Sequence, residues 1–332
     1  MLRLIFLLVF PASISAQLNR FEFSENKMGS PFRIIFYHSD SLKAVSLPQE
    51  CYLLVDSLNN IFSDYTLTSE VGKLSQLKPF QEQRISDELF SMIMYSKKLW
   101  TASHKTFDIT IGALTHLWRK ARSENRFPSE EEIKAAKQLT GFKNLILDPA
   151  KQTIAFKKSG MQLDFGGIVK GYAAQRVIEF LRMHRTPIAL VDAGGDIVVS
   201  DPPPFKEGWS IAMNIPESEF ELWNKKLQLK HCAAATSGDV YRFIIHEGKK
   251  YSHIIDPKTG YGLTSQKNVT VITKYGADAD WLATACSILP VRRALRLAKE
   301  QHAALFIAYF KKEKLVIRKT KGFDRYFEKK QP

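Results

Sequence analysis

The chain has 332 residues, 45% of them apolar and 25% charged, with 17 Gly, 14 Pro and 3 Cys. This ordinary globular balance leaves room for a sizeable core and excludes collagen-like and low-complexity chains, a disulfide scaffold and a four-cysteine zinc site. Formal net charge is +14, and the stretch Lys311 to Pro332 holds nine Lys/Arg against three Asp/Glu. Such an excess favours anionic partners. No zinc-finger spacing or RNP-like aromatic run accompanies it, so it reads as a solvated basic face and nucleic acid is not an expected partner.

Arg3, the apolar run Leu4 to Phe10, and the small-residue stretch Ser13-Ile14-Ser15-Ala16 form the three parts of a secretory leader. The run is far below the ~20 residues needed to span a bilayer. We expect residues 1–16 to be a signal peptide, residues 17–332 to be one exported domain, and its location to be the periplasm or the outer face of the inner membrane. Cys51, Cys232 and Cys286 sit among apolar neighbours and read as buried structural thiols.

Alternating residues predict strands at 21–23 and 31–37. Apolar spacing predicts helices over 47–62 and, with Ser86 as N-cap, over 86–98. Ser129-Glu130-Glu131-Glu132 opens a third helix with a capping-box pattern. Strands follow at 145–147 and 153–156, a helix at 168–183, a strand at 188–191 and a surface loop at Pro202-Pro203-Pro204. An apolar helix at 278–289 and a closing hairpin at 305–310 and 315–319 complete the pass. Strands pair as often as they alternate with helices, which predicts an α+β fold with largely antiparallel sheet.

Four segments carry chemistry. In Leu163-Asp164-Phe165-Gly166-Gly167-Ile168-Val169-Lys170 a strand end meets paired glycines and then a helix. Backbone can approach a ligand there, the helix start offers free N–H groups to a phosphate, and Lys170 adds a mobile positive charge. A plain glycine turn would use the same residues. Asp192-Ala193-Gly194-Gly195-Asp196 reads best as a tight turn between strands. Asp280 and Thr284, four apart on a helix, share one face and suit a hard cation such as Mg²⁺; dipole stabilisation of Asp280 is the plainer alternative. Thr236-Ser237-Gly238-Asp239 precedes His253-Ile254-Ile255-Asp256-Pro257-Lys258-Thr259-Gly260. There Asp-Pro-x-x-Gly is a turn, and His253 is either structural or a general base.

Taken in order, these segments resemble the ApbE family, the FAD:protein FMN transferases. Met28-Gly29-Ser30, Phe62-Ser63-Asp64-Tyr65 with Ser69-Glu70, Thr106-Phe107-Asp108 through Gly112, and Leu117-Trp118 match further family segments. Ser75 stands where the family pattern has Asn. The resemblance runs across nearly the whole mature chain. It implies an α+β fold around an FAD cleft, with FAD as substrate and Mg²⁺ as cofactor. It also implies transfer of FMN to a threonine of an acceptor protein, such as a membrane redox subunit, with release of AMP. By position, Met28, Tyr65, Thr106, Phe107, Asp108, Asp164, Lys170, His253 and Ile255 would line the FAD site. Gly167 (through its carbonyl), Asp280 and Thr284 would hold the metal, and His253 and Asp280 would be the catalytic residues. An FAD pyrophosphatase using water as acceptor, and a non-catalytic flavin carrier, are the alternatives.

Overall fold

The computed structural model describes residues 17–213, 225–238, 243–265, 267–311 and 314–329. The leader read in residues 1–16, and Asp239, lie outside them. The chain opens with a hairpin of β1 (Asn19–Lys27) and β2 (Ser30–His38), turned at Met28 and Gly29, both at positive φ. The helices α1 (Ser41–Phe62) and α2 (Glu70–Leu74), the short strand β3 (Gln83–Arg84), and α3 (Asp87–Ala102), α4 (Gly112–Ser123) and α5 (Glu130–Gln138) follow. Strands β4 (Leu145–Asp148) and β5 (Thr153–Phe156) join β3 in a small sheet. Helix α6 (Val169–Met183) leads into the hairpin β6 (Ala189–Ala193) and β7 (Asp196–Val199). Then come β8 (Trp209–Ala212), β9 (Lys226–Leu229), β10 (Cys232–Ser237), β11 (Phe243–His246), β12 (Lys249–Ser252) and β13 (Lys267–Thr273). Helices α7 (Gly276–Ile288) and α8 (Val291–Glu300) and the hairpin β14 (Ala304–Lys311) and β15 (Lys314–Lys319) close the chain.

The main sheet has eight strands in the order β1-β2-β6-β7-β10-β13-β14-β15, and every neighbouring pair is antiparallel. The predicted α+β class holds. Both faces of the sheet are covered at its centre, so its inner strands bury residues on both sides. Phe32, Ile34 and Phe36 of β2 enter the larger core beneath the helices, while Ile35 joins the smaller core on the opposite face. On β14, Leu305 and Ile307 go to the first and Phe306 to the second. A third cluster gathers Trp118, Leu114, Ile133 and Ile255 beside the β11–β12 hairpin.

Local signals behave as their chemistry requires. Ser86 caps α3 by accepting the Leu89 N–H, and Ser129 and Glu132 form the capping box of α5. Asp256 and Gly260 close the expected turn through Gly260 N–H to Asp256 O. Ser75 ends α2, its hydroxyl donating to Gly72 O at 2.6 Å, so this residue is satisfied within its own turn. The three cysteines are buried and unpaired, and burial pushes the Cys51 thiol up to about 12 and Cys232 to about 11.

Several extents differ from the sequence reading: the strand read at 21–23 spans 19–27, and the helix read at 86–98 spans 87–102. Helix α1 starts at Ser41, not 47, because Asp40 caps it and the helix runs through Pro48. Helix α7 spans 276–288 and the strand read at 188–191 spans 189–193. Helices α4 and α8 and strands β8 to β13 had not been singled out.

Helices α6 and α7 cross at their glycines. A Cβ on Gly171 would lie 2.2 Å from the Gly276 carbonyl oxygen, and a Cβ on Gly276 would lie 2.0 Å from the Gly171 carbonyl oxygen. Both helices must be bare here for their backbones to touch. Alanine at 171 would gain about 1 kcal/mol in helix propensity against an overpacking cost of about 3 kcal/mol. Gly171→Ala is therefore expected to lower unfolding free energy by about 2 kcal/mol in denaturant titration; equal stability would refute the close crossing.

Candidate functional site

A cleft of about 430 Å³ opens where strand ends, the α6 start and one face of α7 meet. All twelve residues named above as site candidates line it: Met28, Tyr65, Thr106, Phe107, Asp108, Asp164, Gly167, Lys170, His253, Ile255, Asp280 and Thr284.

The floor is built by the glycine segment and α7. Asp164 accepts the Gly166 N–H at 2.7 Å, a short turn that delivers Gly167 to Thr284. A Cβ at Gly167 would sit 3.0 Å from Thr284 Oγ1, so the bare backbone is what fits beside that hydroxyl. Asp280, one helical turn before Thr284, is 5% exposed and accepts the Gly171 N–H at 3.1 Å. Burial, then the nearby Asp196, push its carboxyl up to about 8, against the pull of Lys170.

Lys170 is not mobile. Its ammonium is ion-paired with Asp196, a carboxylate only 4% exposed whose own pKa burial raises. The turn read at Gly194-Gly195 is the β6–β7 hairpin turn, with both glycines at positive φ, and it brings Asp196 to the cleft. Two buried carboxylates therefore face one ammonium. The Asp280 carboxyl, with a threonine hydroxyl and a backbone carbonyl alongside, is an oxygen donor set that suits a hard divalent cation, which would displace its proton. Among the described residues no cluster of three or more His, Cys, Asp or Glu forms a metal site, so the mixed set at Asp280 is the candidate.

The walls carry rings and hydroxyls. Tyr65 is 68% exposed, and the Arg119 guanidinium lies over its ring at 3.9 Å. Phe107 is nearly buried and packs at a tilt against Trp281, so Tyr65 is the more accessible of these two rings. Asp108 is engaged internally: it accepts from the Thr110 backbone and hydroxyl and from Trp100 Nε1. Its work is to shape the loop that brings Thr106 and Phe107 to the wall. Among the described residues the buried hydroxyls of Thr106 and Ser30 have no hydrogen-bond partner, although both residues line the cleft. Buried polar atoms of this kind call for a partner from a ligand or from solvent. His253 stands exposed at the mouth on a short ribbon, where Ser252 N–H donates to Leu263 O and Ile255 bridges to Gly262.

Arg119 was missed by the sequence reading, as was all of α4. Its guanidinium donates to Asp64 at 2.8 Å and lies 3.8 Å from Asp164. Asp64, which also contacts His116 at 3.1 Å, is held below the usual carboxylate range by these partners despite its burial. The one available signal was the spacing of Leu117 and Trp118 with Arg119 and Arg122 on an amphipathic helix.

The pH consequence has a definite sign. Asp280 in the metal-free native state holds a proton that the unfolded chain, with an ordinary value of 3.8, releases. Metal-free stability is thus expected to fall as pH rises from about 4 to about 8. Denaturant unfolding in a chelator across that range should show a slope that Asp280→Asn flattens; an unchanged slope would refute the assignment.

Comparison with known proteins shows the family of the whole chain. The model of the ApbE family matches residues 28–307. An FAD:protein FMN transferase of Chlamydia muridarum is 30% identical over 288 residues, covering 85% of this chain and 88% of the relative. One of Klebsiella pneumoniae is 28% identical over 291 residues, covering 86% and 89%. The ApbE protein of Thermotoga maritima superposes with a TM-score of 0.84 at 28% identity, over 94% of this chain and 100% of that one. The flavinyl transferase ApbE of Pseudomonas stutzeri, in its apo form, superposes with a TM-score of 0.82 at 29% identity, over 94% and 98%. With the family match spanning most of its length and the cleft residues gathered as described, the chain belongs to the ApbE family.

Proposed function

We propose that this chain is a Mg²⁺-dependent FAD:protein FMN transferase acting on a threonine of an exported acceptor protein. Its relatives are transferases of flavin, and the chain is an enzyme of that class. The observation that carries the finer reading is the pair of buried carboxylates, Asp196 and Asp280, set around one ammonium at the head of the glycine turn. The leader read in residues 1–16 supports an acceptor met outside the cytoplasm.

In this reaction the acceptor hydroxyl oxygen forms a bond to the phosphorus of the FMN half. The bond from that phosphorus to the oxygen bridging the two phosphates breaks, and AMP leaves with the bridging oxygen. The hydroxyl proton must go to a base. His253 stands at the mouth, where an acceptor side chain enters, and is the residue placed to receive it. Lys170, fixed by Asp196, directs its charge at the phosphates without first being ordered. Tyr65, clamped by Arg119, offers a flat face to a ring system of the substrate. Thr106 and Ser30 have hydroxyls available to polar substrate atoms. Asp280, Thr284 and the Gly167 carbonyl would hold Mg²⁺, which when bound supplies positive charge against the phosphates.

The test is incubation of the mature chain with FAD, Mg²⁺ and a threonine-bearing acceptor domain, read by intact mass. A gain of one FMN less water on the acceptor, absent without Mg²⁺ and abolished in Asp280→Ala, is expected. Free FMN and AMP without an adduct would instead establish the pyrophosphatase. A second expectation concerns Arg119. Arg119→Met removes the clamp on Tyr65 and is expected to weaken FAD binding about tenfold, the size of one cation–π and ion-pair contribution. Flavin fluorescence titration would show this, and unaltered affinity would discard the clamp.

A further inference from the structure

The end of the main sheet opposite the cleft carries a set of protruding apolar side chains, and strand register places the segments that bear them at that one end. Strand β1 begins at Asn19, paired with His38 at the end of β2. Asp40 then caps α1, whose first turns present Leu42 at 88% exposure and Val45 at 66%. Next to β2, Tyr37 N–H donates to Ile188 O, just before β6 begins. Helix α6 ends five residues earlier at Met183, 75% exposed. The segment after β7 returns to the same place: Asp201 N–H donates to Pro187 O, and Asp201 pairs with Arg182 at 3.5 Å.

From Asp201 the chain makes a loop through Pro202-Pro203-Pro204, closed at its base by Trp209 Nε1 donating to Asp201 O at 2.9 Å. Phe205 is at its tip, fully exposed and at a φ of 61°, a conformation that non-glycine residues seldom adopt. Three prolines and a closed base stiffen the loop that holds this ring in water. Four large apolar side chains from three segments thus project at one end, with Lys43, Arg185 and Lys206 exposed among them. Two acids of this end are occupied, Asp40 as a helix cap and Asp201 between Arg182 and His231, while Glu207 stands exposed.

We propose that this end is a peripheral docking surface for an anionic lipid bilayer. Separate apolar tips interleaved with lysine and arginine suit the boundary between acyl chains and charged head groups. A protein partner would be matched by a continuous groove or a flat face. The orientation that follows is functional. Helix α1 runs 22 residues from Ser41 to Phe62, three residues short of Tyr65 on the cleft wall. At the helical rise that is about 33 Å, so a docked chain turns its cleft away from the lipid, toward acceptor domains standing off the surface.

The test uses residues 17–332, which contain all three hydrophobic cores. The probes are vesicles of phosphatidylcholine alone or mixed with phosphatidylglycerol. Co-sedimentation with the mixed vesicles is expected, weaker with phosphatidylcholine and weakened by salt. The triple variant Leu42→Ser, Met183→Ser, Phe205→Ser is expected to lose about tenfold in bound fraction while keeping its circular dichroism and FAD binding. Absence of wild-type binding, or equal binding of the folded variant, would overturn the proposal. So would a wild-type dimer in light scattering that the variant turns into a monomer, since the face would then join two copies of this chain.

Discussion

The contact of α6 with α7 at Gly171 and Gly276 is the constraint on which the site depends. Two helix backbones in touch leave no room for side chains between them, and everything nearby takes its position from that fact. Asp280 reaches the Gly171 N–H only because its helix comes so close. Gly167 meets Thr284 for the same reason, in the turn that leads into α6 and one turn of α7 beyond Asp280. Remove the crossing and the glycine turn, the carboxylate and the threonine belong to separate elements with no common geometry.

The crossing also has an electrostatic consequence. It takes Asp280 almost entirely out of water beside Asp196, and desolvation is the largest influence on both carboxyls. A lone buried carboxylate is costly unless paired. Here one ammonium pairs with Asp196, and Asp280 holds a proton, so the protein keeps a buried carboxyl without a counter-charge of its own where a packed core would have eliminated it. The orphaned hydroxyls of Thr106 and Ser30 belong to the same pattern. Polar groups left unsatisfied along one cleft are what a site looks like before its ligand supplies their partners.

Around this rigid centre the walls come from parts of the chain far apart in sequence. Asp64 lies at the end of α1, Arg119 on α4 and Asp164 in the glycine turn, and one guanidinium joins them. No short-range rule connects residues so separated. Lys170 illustrates the same limit: as a residue near a helix start it reads as a mobile cation, and only β7 packed beside α6 shows that it is pinned.

Much was legible in the amino-acid order alone. Capping at Ser86 and Ser129, the turn at Asp256 to Gly260, the hairpin turn at Gly194-Gly195 and the α+β class follow from local chemistry, because a cap or a tight turn is decided within a few residues. The succession of glycine, acidic and histidine segments was enough to point to the family, and to twelve residues that do share one cleft. Tertiary structure alone decided the rest. The cysteine-alanine run of β10 becomes a central strand only because α7 packs on it, and α4 becomes a wall only because Trp118 is anchored to Gly260 O. Burial and charge pairing, which make Asp280 a candidate metal ligand and Arg119 a clamp, are sums over neighbours brought from distant parts of the chain. A linear pattern states which groups are present; the free energy of bringing them together depends on which others exclude the water between them.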